Sequence, residues 1–120
     1  MKLNWIAFYY EAFFNDCEHH ANSVIGAYLR FIYLYTKRLC VGLPNDESQL
    51  RRLSGCDSDA EWKSIYAAIF GDGESGFFKL QEDGLFHQKR AREEFLISTE
   101  RTEKKVKGGK EGARRRWHTQ

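Results

Sequence analysis

The chain has 120 residues, 42% of them hydrophobic and 15% aromatic, which suits one small domain with a modest core. Its three cysteines, Cys17, Cys40 and Cys56, are odd in number and form no C-x-x-C pair, which argues against a disulfide scaffold and for a reducing cytosol. The net charge of +2 conceals an asymmetry: residues 1–100 carry 11 Lys+Arg against 15 Asp+Glu, giving −4, whereas residues 101–120 carry 8 against 2, giving +6.

The opening stretch LNWIAFYYEAFF is aromatic-rich, and its reading is an extended segment with a short turn. No signal peptide or membrane span is expected, because the most apolar run, from Val24 to Tyr35, is interrupted by Arg30 and falls short of the roughly 20 residues a span needs. Glu18-His19-His20 lacks the i, i+4 spacing of a helical metal pair, since adjacent side chains point apart.

From about Ala21 to Leu39, Ile25, Tyr28, Leu29, Ile32, Tyr35 and Leu39 recur at three- and four-residue steps, with Val24, Phe31 and Leu34 widening the stripe. This predicts a long central helix, broken by Gly42 and Pro44 in VGLPND. A short helix follows from Glu47 to Leu53, capped by Asn45 or Asp46, with Leu50 and Leu53 inward and Arg51 and Arg52 outward. The SGCD turn comes next, where Cys56 is a small packing residue. The next helix opens at Ser58, because Ser58-Asp59-Ala60-Glu61 matches the capping box, and its apolar face is Trp62, Ile65, Tyr66 and Ile69.

FFKLQEDGLFHQKR alternates like two short strands around a turn. A three-residue loop Glu82-Asp83-Gly84, with Gly84 left-handed, sets Leu80 opposite Phe86 and places Phe78, Leu80 and Phe86 on one face; this is preferred to a two-residue turn that would set Leu80 opposite His87. A ribbon of two strands is marginal alone, so the hairpin leans on helices. The whole reads as a mainly α single domain with one β-hairpin: a winged helix-turn-helix-like body over residues 1–100, with the hairpin as wing and a C-terminal helix from about Lys89. Residues 101–120 form a basic, Gly-containing tail, expected to be disordered beyond Lys107.

The outward positions of the recognition helix, Asp59, Glu61, Lys63, Ser64, Ala67 and Ala68, make a poor surface for phosphates. If the body reads DNA, the candidates are Arg51, Arg52, Lys63 and the wing residues Lys79, Lys89 and Arg90. The tail is different. Lys104, Lys105, Lys107, Lys110, Arg114, Arg115 and Arg116, with Trp117, have the composition of an arm that binds nucleic acid weakly and without sequence preference. No paired carboxylates, phosphate loop or metal-ligand spacing is visible, so neither an enzyme nor a cofactor or metal site is expected.

The sequence resembles the YdaU-like family of phage and prophage replication-region proteins. The matching features are Trp5 with Phe8-Tyr9, Gly26-Ala27-Tyr28-Leu29-Arg30, Gly42-Leu43-Pro44-Asn45-Asp46, Leu53-Ser54-Gly55, Trp62, and Asp83-Gly84 leading to Lys89-Arg90 and Glu94. KKVKGGKEGARRRW is similar to that family's basic continuation. Val24-Ile25 and Gln88 depart from it, standing where the family usually has acidic or polar residues and an Asn. The resemblance implies a cytoplasmic, non-catalytic replication accessory that binds DNA or helps load the host helicase, with a short member carrying only the adaptor part as the expectation for this chain. A winged-helix transcriptional regulator and a protein-interaction module with no nucleic-acid role are the competing readings.

Overall fold

The computed structural model describes the backbone of residues 10–118 and the side chains of residues 10–105 and of Lys107. Trp5, Phe8 and Tyr9 of the aromatic opening lie outside the described residues. The part of that opening within them is helical rather than extended: α1 spans Tyr10–Cys17 and buries Phe13 and Cys17. Phe13 stacks on Tyr28 at 4.9 Å, so a tertiary aromatic contact selects helix where the local pattern was ambiguous.

The central helix α2 spans Asn22–Lys37. Its buried stripe is Val24, Ala27, Tyr28, Phe31 and Tyr35, while Leu29 and Tyr33 face solvent, so the core side is rotated from the stripe the sequence suggested. Leu39 lies past the helix end with φ 58°, in a left-handed turn shared with Cys40 that aims the chain at the sheet. The turn is closed by the Cys40 amide donating to the Tyr35 carbonyl at 3.0 Å.

Beyond the turn, Leu43–Pro44 is a strand, β1, where the sequence suggested only a helix breaker. Helix α3 spans Glu47–Ser54 under an Asp46 cap that accepts from the Ser48 and Gln49 amides, and Gly55 ends it with φ 71°. Helix α4 spans Asp59–Ile69 and begins as expected, with the Ser58 hydroxyl accepting from the Glu61 amide at 3.2 Å. Trp62, Ile65 and Ile69 are its buried face.

The wing consists of β2, Lys79–Leu80, and β3, Leu85–His87. Leu80 pairs with Phe86 and Gly84 has φ 78°, which is the register of the three-residue loop. Phe78 and Phe86 enter the core, but Leu80 stays 38% exposed. The hairpin is not isolated. Leu43 pairs with Phe86 and Pro44 with Leu85, giving an antiparallel sheet in the order β1-β3-β2. Pro44 is tolerated because β1 is an edge strand, where a missing N–H breaks no ladder.

The order helix, strand, helix, helix, hairpin, with the first strand paired to the last, is that of a winged helix-turn-helix. Its core is strongly aromatic: Phe31 and Phe70 meet edge to face at 5.0 Å, Phe70 and Phe86 at 4.8 Å, and Tyr35 and Phe78 at 5.6 Å.

Helix α5 follows the wing and spans Lys89–His118. The basic tail is therefore helical backbone, not the irregular chain its glycines suggested. Glu, Lys, Arg and Ala are strong helix formers, and the packed first turns of α5, where Ala91 and Phe95 lie against the core, already meet the cost of nucleation. Gly108, Gly109 and Gly112 each cost roughly 1 kcal/mol relative to Ala without stopping propagation. Among the described residues no helix is long and apolar enough to cross a membrane.

Candidate nucleic-acid interface

The wing is fastened to the body by a polar relay that runs from exposed Asp83 through buried His87 to buried Tyr35. The Asp83 carboxylate accepts from the Leu85 amide at 3.0 Å and lies 2.8 Å from His87 Nε2, whose ring is only 5% exposed. On the other side of the ring, His87 Nδ1 lies 2.8 Å from the hydroxyl of fully buried Tyr35 on α2. With Nε2–H donating to the carboxylate, Nδ1 is the acceptor for the tyrosine O–H. His87 and Tyr35 thereby satisfy each other, and the reversal at Asp83-Gly84 is held in place from within.

Gln88 connects the wing to α5. Its Oε1 accepts from the Ala91 amide at 2.6 Å, capping the helix, and its Nε2 donates to the Tyr28 hydroxyl at 3.0 Å. The Tyr28 hydroxyl donates onward to Asp16 of α1, which also receives Arg90, each at 3.4 Å. Burial pushes the Tyr28 phenol up to about 12 and the Cys40 thiol up to about 12, and raises Tyr35 as well. These groups stay protonated at neutral pH, so none is an activated nucleophile.

A pocket of about 600 Å³ opens between the wing and the first turns of α5. Its lining includes buried His87 and Gln88, Lys79 and Gln81 of the wing, and Lys89, Arg90 and Arg92 of α5. Glu93 is the one carboxylate on its wall, and Phe77 and Leu96 are its apolar parts. Fold topology thus brings together Lys79, Lys89 and Arg90 and adds Arg92, which sequence reasoning missed. Its signal was its place three residues after Lys89 at the start of a helix. Arg90 is shared with Asp16, but among the described residues Lys79, Lys89 and Arg92 form no ion pair.

The helix-turn-helix residues lie apart from this group. Arg51 of α3 is paired with Asp59 at the start of α4, so its charge is compensated. Arg52 and Lys63 are exposed on α3 and α4, and neither lines the pocket. Along α5, Lys104, Lys105 and Lys107 are exposed, Lys104 bonded to Glu100 at 3.0 Å. The side chains of Lys110, Arg114, Arg115, Arg116 and Trp117 lie outside the described residues.

Comparison with protein-family models, with curated proteins and with solved structures gives no match for this chain.

Proposed function

We propose that the protein is a non-catalytic nucleic-acid-binding accessory that holds the phosphate backbone without reading sequence, using the wing and α5 rather than the helix-turn-helix face. The observation that supports this most is a pair of cation groups, Lys79, Lys89, Arg90 and Arg92 around the start of α5 and Lys104, Lys105 and Lys107 further along the same helix, with Glu93, Glu94, Glu100 and Glu103 between them. A rigid helical arm spaces these charges at 1.5 Å per residue and loses less entropy on binding than an irregular tail. The recognition helix opposes major-groove entry, because Asp59 and Glu61 crowd its first turn, where a reading helix contacts base edges.

The setting in which this binding works, phage or prophage DNA replication in the cytoplasm with a host helicase or its loader as partner, rests on the family resemblance alone. A protein-interaction role is favoured by one observation, the exposure of Leu29 and Tyr33 one turn apart on α2.

The test is salt-dependent duplex binding by the full chain. With about four phosphates neutralised, log K falls with log salt at a slope near −3 to −4. Replacing Lys104, Lys105 and Lys107 by Gln makes that slope shallower by about 2 to 3. Sequence-specific, salt-insensitive binding overturns the proposal in favour of a regulator. No binding at low salt leaves the interaction module.

A further inference from the structure

We infer that the pocket between the wing and α5 is a binding site for a terminal nucleotide phosphate, the end of a nucleic-acid strand or a free nucleotide. The inference rests on the nucleic-acid reading only in taking a nucleotide as the source of the anion.

Its volume of about 600 Å³ lies in the range of small-ligand sites, and it is a recess rather than a flat face. Buried His87 and Gln88 are part of its lining; both ring nitrogens of His87 are committed to Asp83 and Tyr35, and Gln88 donates to the Tyr28 hydroxyl and accepts from the Ala91 amide. Among the described residues the donors without a hydrogen bond or ion pair are the cations Lys79 from β2 and Lys89 and Arg92 from α5, with the Gln81 amide beside them. The acids near them are Glu93 on the wall and Asp83, which is bonded to His87 and is stabilised in part by the charge of Arg92. Three cations from two elements converging on one recess recognise an anion of more than one charge. The positive end of the α5 dipole adds to the same sign.

A phosphate monoester carries about −1.5 to −2 at neutral pH, and an internal diester carries one charge, so the pocket favours a terminal phosphate over a backbone one. Shape acts in the same direction. A continuous duplex backbone has to pass over a recess, whereas a strand end or a single nucleotide enters it. Phe77 and Leu96 offer the apolar surface on which a sugar or base rests once the phosphate is held.

The experiment measures binding of the full chain to a short oligothymidylate carrying a 5′-phosphate, to the same oligonucleotide with a 5′-hydroxyl, and to dTTP. In the unaltered protein the phosphorylated strand, dTTP or both bind, and the amide resonances of Phe77, Lys89 and Leu96 shift on titration. The triple variant Lys79→Gln, Lys89→Gln, Arg92→Gln removes side chains that are exposed and, among the described residues, form no ion pair, and its melting temperature and native amide spectrum check that it folds. It weakens the phosphate-bearing probes by about tenfold or more, to the level of the hydroxyl strand.

Preference for the phosphorylated strand without dTTP binding assigns the strand end, and dTTP binding abolished by the variant assigns the free nucleotide. The variant Lys104→Gln, Lys105→Gln, Lys107→Gln weakens both strands alike and preserves the difference between them, so failure of the helical arm and failure of the pocket read out separately. The inference is overturned if the unaltered protein makes no distinction between the two strands and binds no dTTP. Retention of either phosphate-dependent effect in the pocket variant overturns it equally.

Discussion

The hydroxyl of Tyr35 lies 2.8 Å from Nδ1 of His87, joining the middle of the fold to its wing across 52 residues of sequence. Both groups are almost wholly buried, and each is the other's partner on that side. Tyr35→Phe keeps the ring in contact with Phe78 but leaves the imidazole nitrogen without a donor. The expected loss is about 1 to 3 kcal/mol, the cost of an orphaned buried acceptor. Urea denaturation measures it, and an unchanged midpoint would show that water replaces the phenol.

Acid should loosen the wing first. The Asp83 carboxyl is held below its ordinary value of 3.8, chiefly by the hydrogen bond from His87 and then by the Leu85 amide. A carboxyl with a depressed folded value contributes stability that is present above the unfolded value and lost as pH falls through the folded one. Amide exchange at Leu85 and His87 should therefore accelerate as pH drops below about 3.8 in the native chain. Asp83→Asn removes that acid step. The variant is not silent, because a carboxamide has one acceptor oxygen where the carboxylate uses two, one for the Leu85 amide and one for His87 Nε2.

Two glycines near the wing are constrained for different reasons. A Cβ on Gly84 would meet nothing within 4 Å, yet its φ is 78°, so the objection to a side chain is conformational. Gly84→Asn should be tolerated, and Gly84→Val should cost about 1 to 3 kcal/mol. At Gly76 a Cβ would stand 2.5 Å from the Ile69 carbonyl oxygen and 2.6 Å from Phe70 carbon, where the chain runs against the end of α4. Gly76→Ala should destabilise through backbone displacement, lowering the melting temperature and widening amide shifts at Ile69 and Phe70. A native melting temperature for Gly76→Ala would contradict that close approach.

Trp62 has two separable roles. Its ring is buried between α4 and the core, while its Nε1–H donates to Glu47 at the start of α3 at 3.0 Å. Trp62→Ala should cost about 3 to 5 kcal/mol. Trp62→Phe retains most of the area and loses the hydrogen bond, for about 1 kcal/mol beyond the change in ring size. Equal losses in the two variants would mean that the bond, and not the packing, dominates.

What the sequence determined by itself is what neighbours along the chain decide. The Ser58 cap, a cap at Asn45 or Asp46, the apolar face Trp62, Ile65, Tyr66 and Ile69, and the Leu80–Phe86 register all follow from neighbours within a few residues, where spacing and turn chemistry are explicit; the fold then chose Asp46 and left Tyr66 half-buried. The order of those elements was enough for the winged-helix architecture. The tertiary structure decided the rest. β1 is two residues long and exists only because Leu43 finds Phe86; no local signal marks so short a strand. Whether α2 buries Tyr35 and exposes Leu29 depends on where the neighbouring elements stand, because both residues are apolar and the helix carries apolar side chains on most sides. His87 finds its partner only because the fold brings Tyr35 of α2, 52 residues away in sequence, within reach of it. The pocket cations lie on separate elements, Lys79 in the wing and Lys89 and Arg92 in α5, and become one site only when packing sets the wing against the start of that helix.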